Sequence, residues 1–415
     1  MIGFREGRNV MPWYHGWNVV AAGLMFQAIS FGIGLYCFTF YVAPWTQEFG
    51  VGRGEIMVVF FILQASMGLF APVAGRAMDR LPIRLLVIAG AISLALALLL
   101  AARASALWQL MVINGTLIVG GTLLAGPLAA QTLTARWFNR RRGLALGIST
   151  IGTSIGGFIL PPVVTALQAS MGWRDANDVL AVLVLVAVIP LAWLVIRNSP
   201  TTEEALIEAL PTGAPASSSA GQQAEQRHWS LAEVFREPTF WFMVIAFVLF
   251  SLVNGGLQQN LAPYGLDQGF DAQAVAWVMS VMALLMAVWK VVIGALTDRI
   301  EVRWIFVFSL GVLLGAMAWM STQLSYFEFG IICGMLGVAS AAHLPLLAAI
   351  VSRHFGVASF GLVMGLIGPF TTLSATGPWI AGEIRDVTGS YDLAFMVFAG
   401  LLVPACASIL MLRLK

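Results

Sequence analysis

One lysine stands inside an otherwise apolar run, MALLMAVWKVVIGALTD, at position 290 of a 415-residue chain. Of the 22 basic residues, 20 are arginines in the loops or at the ends of the apolar runs, and the only other lysine is Lys415. None of the 20 acidic residues lies deep in an apolar run, so Lys290 has no evident built-in counter-ion. A lone ammonium near the centre of a membrane helix costs about 3 kcal/mol on insertion scales. A small anion arriving as cargo would supply the missing charge, and a carboxylate is the simplest such anion. The competing reading is that the side chain snorkels. By helix rise Lys290 lies about 10 to 12 Å from the nearer end of its run, a span the lysine stem covers in part.

Other polar groups in apolar runs are candidates for the same site. His343, in GVASAAHLPLLAAI, lies about as deep as Lys290 in a parallel run and could bind an anion or carry a proton. It could equally bond a neighbouring helix. Asn254 and Gln258 stand one helical turn apart on one face, which suits hydrogen bonding to a hydroxyl or carboxylate and suits interhelical bonding just as well. Gln27 and Tyr36, in the first run, complete the candidate substrate-binding set, with Asn114 behind them.

These residues need a membrane-spanning scaffold, and the composition supplies one. The chain is 59% hydrophobic and 10% charged, with a mean hydropathy of +0.88, where soluble domains carry about 25% charged residues. Apolar stretches long enough to cross a hydrocarbon core of about 30 Å fall near 17–43, 55–77, 83–103, 107–135, 142–166, 178–197, 239–264, 272–297, 302–321, 326–352, 359–381 and 392–412. The first stretch is too long for a signal peptide and is expected to remain. With the N-terminus inside, seventeen basic residues fall on the cytoplasmic side. Only Arg53, Arg103, Arg174 and Arg385 fall on the other. That bias predicts both termini in the cytoplasm of a multi-pass plasma-membrane protein, here a bacterial inner membrane. Cys37, Cys333 and Cys406 sit in apolar runs without paired spacing and read as small hydrophobes.

The predicted organisation is a six-helix bundle over 1–197, a cytoplasmic linker over 198–238 and a second six-helix bundle over 239–415. The linker's SPTTEEALIEALPTGAPASSSAGQQAEQRH is too polar to form a core. Ser230 and Glu233 then form a capping-box pattern that predicts a short surface helix before the seventh span.

The halves repeat. GRAMDRLPIR (75–84) and GALTDRIEVR (294–303) place Gly75, Asp79, Arg80 and Arg84 in register with Gly294, Asp298, Arg299 and Arg303. RWFNRRRGLALG (136–147) has a looser echo in RHFGVASFGLVMG (353–365). Parallel repeats of this kind hold a substrate near the midplane and rock about it. The two Gly-x-x-x-Asp-Arg loops, each between the second and third helix of its half, resemble the signature loop of the major facilitator superfamily. The resemblance covers the whole chain. It implies an all-α membrane fold of twelve transmembrane helices in two pseudo-symmetric bundles. It also implies that Gly75, Asp79, Arg80, Gly294, Asp298 and Arg299 act in conformational gating, as a latch between the halves.

A narrower likeness lies in YHGWNVVAAGL and YVAPWTQEFGVGRGEI, which are similar to the opening of the monocarboxylate porter family, although His15 stands where that family prefers an acidic residue. The ARWFNRRRGLALG segment is shared with that family and with the oxalate and formate exchangers. Monocarboxylate porters also carry an arginine four residues before the second loop glycine, the position that Lys290 holds before Gly294. A lysine there departs from that pattern and gives up a planar two-bond grip on a carboxylate.

No phosphate-cradling loop, metal-ligand cluster or nucleophile with an orienting base is present in the sequence. The expectation is therefore a carrier and not an enzyme, without cofactor or metal and without nucleic-acid partners. It would act as a monomer in the lipid bilayer and move a small monocarboxylate by alternating access, with protons as the expected coupling ion. An oxalate- or formate-type anion exchanger is the alternative, disfavoured because 359–381 holds no second cation. A channel or sensor on the same scaffold is a third reading. The glycine- and proline-interrupted stretches 147–162 and 365–382 are expected to bend.

Overall fold

The structure, a computed structural model, describes residues 14–138, 142–197, 229–297, 299–356 and 359–412. Among these, all regular structure is helical. The first half runs through α1 (Gly16–Tyr36), α2 (Arg53–Arg80), α3 (Ile83–Ala101), α4 (Leu107–Trp137), α5 (142–171) and α6 (173–195). The second runs through α7 (Pro238–Asp267), α8 (Ala272–Leu296), α9 (Val302–Met320), α10 (Tyr326–Phe355), α11 (360–388) and α12 (Asp392–Leu410).

Sequence punctuation sets these boundaries. The run Arg142–Val195 is separated into α5 and α6 by Gly172 alone, at φ 81° and ψ 164°, a conformation that a side chain would strain. Asp271 starts α8 by accepting from the backbone N–H groups of Gln273 and Ala274 at 2.9 and 3.3 Å. Ser325 and Glu328 form a capping box at the start of α10. Ser230 and Glu233 form another on the short helix Leu231–Arg236, as their spacing predicts. The linker ahead of Trp229 lies outside the described residues.

The two proline-rich stretches behave differently. The helix α5 runs through Pro161 and Pro162 as one continuous helix. The glycines there serve as slots. A Cβ on Gly152 would stand 2.6 Å from the Leu24 carbonyl oxygen of α1. In contrast, α11 does break, into a 3-10 turn at Thr372–Ala375.

Each half has its own core. One set of buried side chains comes from residues 14–196, and the other comes from 234–412 with the single addition of Phe40. Large apolar side chains such as Leu194 and Phe327, each more than 70% exposed, ring the outside. In a chain of this composition that surface faces lipid, which is as apolar as the core.

The halves meet along two seams related by the repeat, α2 with α11 and α5 with α8. Each seam is tight at one end and open at the other. At the end that carries Arg53, a Cβ on Gly54 would lie 3.0 Å from the Cα of Glu383. Deeper in the same seam, a Cβ on Gly68 would lie 2.7 Å from Thr372 Oγ1. On the other seam Thr165 Oγ1 donates to Gln273 Oε1 at 2.8 Å, and further along Gly157 faces Ala283. Beyond these contacts the helices part, and a Cβ added at Gly75, Gly147, Gly294, Gly365 or Gly368 would meet nothing within 4 Å. The molecule is a wedge, closed at the Arg53 end.

Candidate functional site

The apex of the wedge is where α1, α5 and α8 cross. A Cβ on Gly157 of α5 would stand 2.9 Å from the Ala283 Cβ of α8 and 3.1 Å from the Tyr36 ring of α1. Only glycine lets three helices from two halves come together there. Tyr36 ends a π-helical turn, Gly32–Tyr36, and packs on the core of the opposite half. Its hydroxyl makes no hydrogen bond among the described residues.

Lys290 belongs to this junction by helical register. The buried side of α8 carries Ala276, Met279, Ala283 and Met286 at three- and four-residue steps, and Lys290 continues that stripe. The opposite arc carries the exposed Trp277, Val281, Leu284, Val288 and Val291. The lysine is therefore on the bundle-facing side of α8 and not on the lipid side. It lies seven residues beyond Ala283, about 10 Å further toward the open end. It is half-buried and makes no hydrogen bond or ion pair among the described residues.

A polar seam joins α7 to α10 in the same half. The Ser340 hydroxyl donates to Asn254 Oδ1 at 2.7 Å and accepts from Gln258 Nε2 at 2.7 Å. One turn along, Ser251 Oγ lies 3.2 Å from His343 Nδ1. The His343 ring stacks on Phe250 and meets the edge of Phe247. Asn254 and Gln258 thus share one half-buried face of α7, joined through Ser340 to α10, and at the next residue the Gln259 carbonyl accepts from the Thr39 hydroxyl of the other half at 2.8 Å. No hydrogen bond links His343 to Lys290. Ser340, which organises the amide pair, carries no charge and stands in a run of small residues, so nothing in the sequence singles it out.

Gln27 is not open to a substrate in this conformation. It is fully buried, and its Nε2 donates to the Ser149 carbonyl at 2.8 Å and to the Ser149 hydroxyl at 3.1 Å, tying α1 to α5. Asn114 is likewise buried and bonds the Leu110 carbonyl of its own helix.

The repeated loops lie at the open end. Asp79, Arg80 and Arg299 are exposed, while Asp298 lies outside the described residues. Gly75 and Gly294 face open space, and no helix packs against them in this conformation. What the two loops do share is a brace within each half. Arg136 donates to the carbonyl of Met78, just before Asp79, at 2.6 Å, and Arg353 donates to the carbonyl of Thr297, just before position 298. Arg136 and Arg353 are themselves counterparts in the repeat.

Known proteins share this architecture. A family model described as the Major Facilitator Superfamily matches residues 24–376 and, in a second match, 271–415. Human monocarboxylate transporter 11 is 27% identical over 409 residues, covering 94% of this chain and 81% of the relative. Monocarboxylate transporter 12-B of Danio rerio is 25% identical, covering 94% and 85%. A solved structure of a bacterial homologue of the human lysosomal transporter Spinster, in an inward-facing and unoccupied conformation, superposes with a TM-score of 0.69. It is 16% identical and covers 96% of this chain and 95% of its own.

Proposed function

Because the chain belongs to the Major Facilitator Superfamily, we propose that it is a secondary carrier whose cargo is a small monocarboxylate of the lactate or pyruvate type. The observation that carries this reading is Lys290, an ammonium without a partner among the described residues, on the bundle-facing stripe of α8 about 10 Å from the junction of the two halves. Such a charge is stable in a low-dielectric site only with a partner, and a carboxylate that reaches it from the open end provides one. Asn254 and Gln258 offer amide groups to a hydroxyl or keto oxygen of the same cargo. The relatives named for monocarboxylate transport support the same choice, as does the absence of Lys or Arg at 359–381, which leaves a second carboxylate without a partner.

The carrier works as a monomer by rocking its halves about the junction, with both termini in the cytoplasm of a bacterial inner membrane. The closed end then faces outward. Protons are the coupling ion, taken up with the substrate. The apical spans offer no acidic residue for this, so the proton passes through Lys290, His343 or the carboxylate itself. Asp298 and Arg299, with Gly75, Asp79, Arg80 and Gly294, latch the end that is open here when the opposite end opens.

Counterflow of labelled L-lactate in proteoliposomes tests the assignment. The expected result is saturable exchange that an inward proton gradient accelerates, and its reduction by about 100-fold in Lys290→Ala, the scale of breaking a buried ion pair. Exchange by Lys290→Ala at the wild-type rate, with equal protein in the membrane, would remove the ammonium from the site.

A further inference from the structure

At the closed end stands a group of charges that the site around Lys290 leaves unexplained. Arg53 opens α2, in the first half. Its Nη1 and Nη2 donate to Oδ2 and Oδ1 of Asp267 at 2.8 and 2.6 Å, and Nη1 also donates to the Tyr391 hydroxyl at 3.0 Å. Both partners belong to the second half. Asp267 receives another guanidinium from its own half, Arg385, whose Nε donates to Oδ2 at 3.0 Å. One residue after Arg53, the Gly54 N–H donates to Asp386 Oδ2 at 2.7 Å. Asp267 and Arg385 line a polar cavity of about 360 Å³ among the loops, and Arg53 is not in its wall.

The bonds therefore fall into two classes. Those of Arg53 and Gly54 cross between the halves and must break if the halves rock apart. The Arg385–Asp267 pair lies within one half and survives the motion. We propose that Arg53 is the moving member of a gate and that Arg385 makes the gate reversible by holding Asp267 after Arg53 has left. A partly desolvated carboxylate stripped of its only cation would strongly disfavour opening, and a second guanidinium already in place removes most of that penalty. Arg53 meanwhile emerges as an unpaired cation at the mouth of the newly opened cavity, where it would draw an anion inward.

This inference rests on alternating access, but its consequence can be read without any substrate. Neutralising Asp267 removes what Arg53 holds and favours opening. Neutralising Arg385 leaves Asp267 wholly dependent on Arg53 and favours closure. A cluster that merely stabilises the end would loosen in both cases.

Thr39 reports the opening, since it is 2% exposed and bonded across the seam to Gln259. The experiment measures modification of Thr39→Cys by a methanethiosulfonate reagent, which forms a mixed disulfide with the thiol and releases methanesulfinate, in the full chain with Cys37, Cys333 and Cys406 replaced by alanine. Asp267→Asn should react about tenfold faster than the parent, and Arg385→Gln several-fold slower. Arg53→Gln, which removes the moving partner in place of the acceptor, should match Asp267→Asn, with no further gain in the double variant. Acceleration in Arg385→Gln comparable to that in Asp267→Asn would overturn the proposal, as would parent-like rates in both Asp267→Asn and Arg53→Gln. A chain that carried no monocarboxylate could still show the opposed signs, so the two readings fail separately.

Discussion

At the Arg53 end the two halves touch backbone to backbone and share a bidentate ion pair, whereas at the Asp79 end no hydrogen bond or ion pair crosses between them among the described residues. The same four helices, α2, α5, α8 and α11, build both ends. Their difference shows that the repeat in sequence and the contacts of this conformation report on separate states. The duplicated Gly-x-x-x-Asp-Arg loops mark the end that is apart here. At the end that is together, Arg53, which reaches across, has no basic counterpart in the repeat, whereas the Arg385–Asp267 pair is matched in the first half by Arg174 and Glu48, 3.1 Å apart. The braces from Arg136 and Arg353 keep each loop in shape within its own half, so the loops remain formed while they are separated.

Substitutions can sharpen this contrast, and the largest effect belongs at the closed end. Gly54→Val would set a side chain against the Glu383 backbone, 3.0 Å from its Cα and 3.1 Å from its N, neither of which can rotate away. Strain of roughly 3 kcal/mol, the upper range for overpacking, would drive the halves apart there. Thr39→Cys modification by the methanethiosulfonate in this background should accelerate by about 100-fold, and a rate unchanged from the parent would mean that the glycine slot does not hold the end shut.

A smaller effect, opposite in sign, is expected at the open end. Gly75→Ala and Gly294→Ala add a methyl that meets nothing within 4 Å, and each should raise the thermal stability of this conformation by about 0.5 to 1 kcal/mol through helix propensity. Turnover should fall, because the latched state needs that space. If turnover held while stability rose, the loops would not close on one another.

The mildest change belongs to the α7–α10 seam. Ser340→Ala leaves Asn254 and Gln258 without their shared hydroxyl and should destabilise the protein by about 0.5 kcal/mol, seen as a small drop in melting temperature. Substrate affinity should shift by less than about tenfold, since both amides remain in place.

Much of the scaffold could be read from the sequence because hydropathy and charge placement act over whole segments. The twelve runs, the capping box at Ser230 and the two-fold repeat all follow from patterns that a membrane imposes. Individual contacts were less legible. The 147–162 stretch reads as a flexible helix by composition, yet its glycines are slots for α1, a property of the partner helix that no local pattern encodes. Gln27 and Gln258 look alike as lone amides in apolar runs, but Gln27 is fully buried on Ser149 whereas Gln258 is half-buried and bonded to Ser340. Arg53 and Arg385 entered the sequence reading only as loop charges. Their convergence on Asp267, 214 and 118 residues away respectively, depends on how the halves dock.

The account stands on the ammonium of Lys290 as the charge that meets the cargo, and equilibrium binding tests it most directly. Titration calorimetry of pyruvate and L-lactate into the purified wild-type chain and into Lys290→Gln, which keeps a polar side chain of similar reach, should give saturable heat for the first and a Kd at least about tenfold weaker for the second. Equal affinity in the two proteins would contradict it.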